Sequence, residues 1–391
     1  MGLRYCCRRI AMKKAASTLV LQFLLLGFAS AADLLQNPDF ETPPPGVPAN
    51  STGPFLLWQN DTLPGWSFSG EVYYLTASGD GQRRAVQLGQ DGTINQTFAA
   101  SADYADYLVT FAIASSGGAN CSSNGSVVIS APDSRGVFPV GEKQRAVYGQ
   151  FLGSWGDREA IDLVIGSETT ESDVNATCWP VVDSIVLKSI TSLVKANDNE
   201  LVNGGFEFGP DFLADSNEGV LLQPAQSPVQ SPLREWSILG TVKYIDSKHF
   251  FIPQGNAAVE FVSGNSSGIQ TAAQLTKDSS YTLEFMLGDG NDSCVGDLEV
   301  RAQAGSVLQN YTIQSKGMGS AQKFSFKFKA DSDTGTTPIS FVSYVSSQTK
   351  DGTLCGPVVD DVVLRASLGL KLAIQWRFLL SLLLFVAPVM N

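Results

Sequence analysis

The chain carries its own sequence twice, and this duplication restricts what it can fold into more than any other feature. Leu35-Gln36-Asn37-Pro38-Asp39-Phe40-Glu41 returns as Leu201-Val202-Asn203-Gly204-Gly205-Phe206-Glu207, and LPGWSFSGEVYYL from Leu63 returns as LREWSILGTVKYI from Leu233. Ala85-Val86-Gln87-Leu88 parallels Ala258-Val259-Glu260-Phe261, Tyr107 to Phe111 parallels Tyr281 to Phe285, and CWPVVDSIVL from Cys178 parallels CGPVVDDVVL from Cys355. Because the matches keep their order, two homologous domains are expected, at 33–190 and 198–366, joined by a short segment around 189–199.

Within each copy the periodicity is two. Phe324, Phe326 and Phe328 alternate with Ser325, Lys327 and Lys329; Tyr107, Val109, Phe111 and Ile113 alternate with Leu108, Thr110 and Ala112. Alternation of this kind buries one face of a strand, and Gly and Pro clusters cut the runs at sandwich-like spacing. Helical periodicity is absent over any useful length, so the expected fold is all-β: two antiparallel sandwiches, with loops in the proline-rich inserts 42–54 and 223–232.

The ends read as targeting segments. Arg4, Arg8, Arg9, Lys13 and Lys14 precede an apolar run from Leu19 to Phe28 that stops at Ala29-Ser30-Ala31-Ala32, the pattern of a secretory signal at 1–32. At the other end, 367–391 closes on an apolar run from Phe378 to Met390, the order of a GPI-type signal with Ser367 as attachment site. A retained membrane anchor is the alternative, although Gln375 and Arg377 interrupt the run and a span wants about 20 apolar residues. These two ends hold seven basic and no acidic residues, so their removal takes the formal charge from −12 to −19. Such a surface repels nucleic acid and polyanions and attracts basic proteins.

An exported chain is expected to oxidise its cysteines. Cys6 and Cys7 leave with the signal, and each copy then owns one early and one late cysteine. The expected bridges are Cys121–Cys178 and Cys294–Cys355, with pairing across the copies as the alternative. Asn50, Asn60, Asn95, Asn124, Asn175, Asn265, Asn291 and Asn310 stand in glycosylation sequons; Asn120 also fits, with Cys121 in its middle.

The opening Asn-Gly-Gly-Phe-Glu, the Trp some thirty residues later and the closing Val-Asp-Asp-Val resemble carbohydrate-binding modules of the galactose-binding-like jelly-roll class. More narrowly, LVNGGFE, the Cys294 and Cys355 pair and the CGPVVDDV ending are similar to the plant cell-wall family of domain of unknown function 642, the BIIDXI-like proteins. The resemblance implies residence in the apoplast, association with cellulose- or hemicellulose-type polysaccharide and interaction with pectin methylesterases. It also implies a structural calcium ion held by the opening Glu and the closing Asp, here Glu41 with Asp183 and Glu207 with Asp360. Carboxylates held only by hydrogen bonds are the equally weighted alternative. In the first copy Pro38-Asp39 and Trp179 replace Gly204-Gly205 and Gly356, so the opening turn is expected to differ between copies.

Residues common to both copies read as scaffold. Trp66, Trp236, Tyr74 and Tyr244 belong to that set and are expected in the cores. Sugar binding needs exposed aromatic faces and planar polar groups, so the copy-specific Trp58, Tyr73, Trp155, Trp179 and Tyr344 are the candidate contacts, with Arg83 and Arg84 beside them. His249 is the single histidine, which leaves a Ser-His-acid triad or a histidine metal centre little to stand on. No phosphate-binding glycine loop, CxxC zinc pattern or basic stripe appears. Three readings stay open: a polysaccharide-binding module, a module that binds basic wall enzymes, and a glycan-active enzyme working through a carboxylate pair.

Overall fold

The computed structural model describes residues 34–48, 53–76, 83–116, 125–140, 145–168, 179–193, 195–196, 198–262, 266–344, 347–349 and 354–367. The alternating stretches become strands, and no α-helix occurs among the described residues. The first half supplies β1 (Gly53–Leu56), β2 (Ser67–Ser69), β3 (Val72–Thr76), β4 (Ala85–Leu88), β5 (Thr93–Ala99) and β6 (Ala105–Ser115). It continues with β7 (Ser126–Ala131), β8 (Ser134–Pro139), β9 (Arg145–Trp155), β10 (Ala160–Ser167) and β11 (Pro180–Ile190). The second half supplies β12 (Val220–Leu222), β13 (Ser237–Leu239), β14 (Val242–Asp246), β15 (Ala257–Phe261), β16 (Ser267–Gln274) and β17 (Ser280–Asp289). There follow β18 (Val295–Ala304), β19 (Val307–Lys316), β20 (Ser320–Lys329), β21 (Thr336–Ser343), β22 (Ser347–Gln348), β23 (Leu354–Cys355) and β24 (Val358–Ala366).

Each half closes a core between two sheets. Five-stranded sheets, ordered β2-β5-β10-β7-β8 and β13-β16-β21-β18-β19, each face part of one twelve-stranded sheet. The first core holds Phe40, Trp66, Tyr74, Tyr107 and Phe111, and the second holds Phe206, Trp236, Tyr244, Phe285 and Phe341. Both repeated Trp–Tyr pairs are buried, as their recurrence implies.

The opening motif forms the same knot in both copies. The Asn37 carboxamide accepts the Thr42 N–H at 2.9 Å and donates to the Thr42 and Pro64 carbonyls. Asn203 repeats this with Phe208 and Arg234. The Asn37 and Asn203 carbonyls each accept the indole N–H of Trp66 or Trp236 at 3.1 Å, and those of Phe40 and Phe206 each accept the hydroxyl of Tyr74 or Tyr244. In the last strand a bulge puts Ser184 and Asp361 in the left-handed region and frees the next N–H: Ile185 donates to Pro38 and Val362 to Gly204. The opening turn therefore does not differ between copies. Asn37 and Asn203 have φ of 48° and 53°, Phe40 and Phe206 of 54° and 53°, because the knot sets the backbone whichever residues stand between.

The halves are joined through structure that neither repeat reveals alone. β12 pairs in parallel with β9 and carries the large sheet across both halves. Gly149 of β9 lies so close to Pro210, Val220 and Leu222 that a Cβ would meet each within about 3.0 Å. Arg234 stands where the first copy has Pro64. Its guanidinium is buried at 2.6 Å from Asp106 of β6 and 4.8 Å from the Phe151 ring. Arg145 and Arg83 both reach Asp215, and Lys188 reaches Asp211.

The disulfide seen among the described residues pairs Cys294 with Cys355, Cα atoms 5.8 Å apart, as the duplication predicts. Cys121 and Cys178 lie outside the described residues, as do the signal segment 1–32, the tail beyond Ser367 and the sequons at Asn50, Asn120, Asn124, Asn175 and Asn265.

The buried Arg234–Asp106 contact sets an expectation. Arg234→Ala strands a half-buried carboxylate and is expected to cost about 3 kcal/mol in urea unfolding. An effect below about 1 kcal/mol would remove this contact from the forces that join the halves.

Candidate functional site

The paired carboxylates sit at the mouth of each opening motif, and in the second half they clamp one loop. Asp360 Oδ2 accepts the Gln254 N–H at 2.8 Å, and Glu207 Oε1 accepts the Asn256 N–H at 2.7 Å while Oε2 takes the Asn256 amide. Gly255 lies between them with φ +76°, and a Cβ there would strike Glu207 Oε1. Asp360 Oδ1 takes a further N–H, that of Asp361, at 2.6 Å. In the first half Glu41 Oε1 accepts the Arg84 N–H at 3.1 Å, with the Arg84 guanidinium 3.7 Å from Oε2, and Asp183 Oδ1 accepts the Ser184 N–H at 2.7 Å.

In the second half these partners favour the hydrogen-bonded alternative over calcium. That ion wants six to eight oxygen ligands. In the second half all four carboxylate oxygens of the pair already accept an N–H, and no group of three or more acidic, His or Cys side chains able to hold a metal occurs among the described residues. The carboxylates act as hydrogen-bond acceptors that pin loops. Melting temperature is accordingly expected to be the same in millimolar calcium and in EDTA; a fall on chelation would reverse this assignment.

Burial shifts the two aspartates and one further acid, Glu260. It pushes Asp360 up to about 7, against its two backbone N–H donors and reinforced by the charges of Asp361 and Glu207. It pushes Asp183 up to about 6 despite the Ser184 hydrogen bonds. It also pushes Glu260 up to about 7, outweighing Lys243, whose ammonium lies 2.7 Å away. A carboxyl that holds its proton more tightly when folded lowers stability as pH rises from its unfolded value, near 4, through its folded value. Stability is therefore expected to increase as pH is lowered from 8 to 5. Asp360→Asn should remove about 2 kcal/mol of that dependence, read from melting curves across pH.

The aromatic candidates scatter. Trp58 is 69% exposed in the loop after β1, anchored through Asp61, and Tyr344 is 60% exposed just after β21. Tyr73 is half-buried on β3 between Leu56 and Gln87, and Trp179 is half-buried beside Ser116. Trp155 is not a surface residue. It is 6% exposed, its ring packs on Phe98 and Tyr107, and its indole N–H bonds Asp133. A bulge in β9 opposite Tyr107 and Leu108 is the reason: it reverses the alternation, so Phe151 faces outward and Trp155 inward. Arg83 and Arg84 are engaged with Asp215 and Glu41.

Sequence reasoning missed the surroundings of Tyr344. The Arg301 guanidinium of β18 lies 4.8 Å from the Tyr344 ring centre and reaches Asn310 of β19 through Nε. Gln270, Ser340, Gln303 and Leu308 fall in register across β16, β21, β18 and β19 on the same outer face. The alternation along β18 and β19 held this information, but only strand register assembles it. His249 pairs with Asp246, Nδ1 to Oδ1 at 3.0 Å. Ser367, the expected anchor site, donates its N–H to Ser280 at the end of β24.

The class defined by this fold is a tandem all-β protein of antiparallel sheets joined through a shared one. The chain belongs to the DUF642 family, described as a protein of unknown function, whose model matches residues 33–188 and 199–365. It is 32% identical to the Arabidopsis thaliana protein DUF642 L-galactono-1,4-lactone-responsive gene 2, over 88% of this chain and 97% of that one. It is 31% identical to Arabidopsis thaliana protein TEEBE, over 84% and 90% respectively. Among solved structures it is similar to the tandem CBM22-1–CBM22-2 domain of Paenibacillus barcinonensis Xyn10C, at 12% identity, covering 81% of this chain and 99% of that one with a TM-score of 0.28. It is also similar to TmCBM61 in complex with β-1,4-galactotriose, at 17% identity over 43% and 99%, TM-score 0.28.

Proposed function

We propose that this chain is a secreted cell-wall glycoprotein that binds neutral wall polysaccharide of the cellulose or hemicellulose type and performs no catalysis. Its two copies, 33–190 and 198–366, act as galactose-binding-like jelly-roll modules, each with one disulfide, and a GPI or other C-terminal anchor retains it at the outer face of the cell. The observation that carries this reading is the exposed Tyr344 ring held by Arg301 above an outer sheet face of Gln270, Gln303 and Ser340. An aromatic face beside neutral amides and hydroxyls suits an uncharged pyranose chain. Trp58 offers a second exposed ring in the first half.

The strongly acidic charge favours a second role, capture of basic wall enzymes such as pectin methylesterases, and disfavours demethylated pectin as a direct ligand. Tyr344→Ala is expected to weaken retention on cellulose or xylan in affinity electrophoresis about tenfold, the loss of about 1.4 kcal/mol, with melting unchanged. Retention of the intact chain by no wall polymer, together with salt-sensitive binding of a cationic esterase, would transfer the function to the second role. Turnover abolished by one carboxylate substitution would establish an enzyme instead.

A further inference from the structure

Among the described residues, the free edges of the three larger sheets are guarded, with one exception. Exposed strand edges invite pairing with another chain and are blunted by shortness, proline, lysine or bulges. β2 and β13, which end the two small sheets on one side, have three residues each, and β1, at one end of the large sheet, has four including Pro54. β8 is six residues long with Arg135 and Pro139. β20, at the other end of the large sheet, is ten residues long and carries Lys323, Lys327 and Lys329.

β19 is long and carries its single lysine, Lys316, only at its last position. It ends its sheet, pairs with β18 over ten residues without a register shift, and reads VLQNYTIQSK, uncharged from Val307 to Ser315 and free of proline and glycine. A stretch of β-branched, aromatic and amide residues at a sheet edge is the composition that stacks into cross-β assemblies. At its centre stands the sequon Asn310-Tyr311-Thr312, with Asn310 exposed on the outer face. Arg301 Nε donates to Asn310 Oδ1 at 3.3 Å, which leaves the amide nitrogen as the atom free to take a sugar.

We propose that an N-linked glycan on Asn310 guards this edge and keeps a second copy of the chain from adding its own β19. The inference rests on the secreted reading above. Attachment joins Asn310 Nδ2 to the anomeric carbon of an oligosaccharide, loses one amide proton and breaks the bond from that carbon to its pyrophosphate oxygen, releasing polyprenyl pyrophosphate as the leaving group. Asn310 and Tyr344 share the Arg301 guanidinium on one outer face, so the same glycan would border that ring on its edge side.

The test uses the full chain secreted from a eukaryotic host. Glycopeptide mapping is expected to find Asn310 occupied, and sedimentation velocity to find a monomer. Thr312→Ala abolishes the sequon while keeping Asn310 and its Arg301 bond, and is expected to produce concentration-dependent dimers or larger species with unchanged melting. Adding Leu308→Lys, which restores a charge to the edge without a glycan, is expected to return the monomer. A bare Asn310 beside occupied Asn60 or Asn291 overturns this inference alone, and so does a monomeric Thr312→Ala chain or association that Leu308→Lys does not reverse. A chain that carries no glycan and stays inside the cell overturns the secreted reading as well.

Discussion

Everything in this fold hangs from one side chain per copy, the asparagine of the opening motif. Asn37 and Asn203 each spend a carboxamide on three backbone groups, and their own carbonyls receive the buried tryptophan. A segment with no strand partners is thereby sealed against the core without leaving polar groups unpaired. The bulge of the last strand completes the knot by turning one N–H toward the motif, so the first and last elements of each copy are bound directly. Trp, Tyr and the closing Val-Asp pair recur because each is a partner in this one arrangement.

Duplication then lets the copies diverge where the knot is indifferent. The knot uses the carbonyl of residue 64 or 234 and ignores the side chain, so proline serves in the first copy and arginine in the second. Arg234 uses that freedom to reach Asp106 and Phe151 of the other half. Copy-specific residues were the natural place to look for ligand contacts, yet several turn out to join the halves. Arg83 and Arg234 are examples. The rule that function lies in the differences holds only after interface differences are subtracted.

The Glu and Asp common to both copies illustrate how far residue type alone can reach. Two carboxylates at matching places suggest either a cation or hydrogen bonds, and the sequence offers no means of choosing. In the second half the loop they hold favours the hydrogen-bonded alternative, since backbone N–H groups at 2.7 and 2.8 Å donate to both carboxylates. Burial of Asp360 and Asp183 then makes those two acids sensitive to acidity in the range between ordinary carboxyl values and neutrality.

The sequence by itself determined the duplication, the strand character, the Cys294–Cys355 pairing and the burial of Trp66, Trp236, Tyr74 and Tyr244, because period and recurrence report local geometry and shared scaffold. Tertiary structure alone decided that Trp155 faces the core, since one extra residue in β9 reverses every side chain beyond it. It alone joined β9 to β12, and brought Arg301, Asn310 and Tyr344 onto one face. Those outcomes depend on which strands become neighbours and in what register. A linear pattern encodes which face a residue prefers, but not which residue stands opposite it.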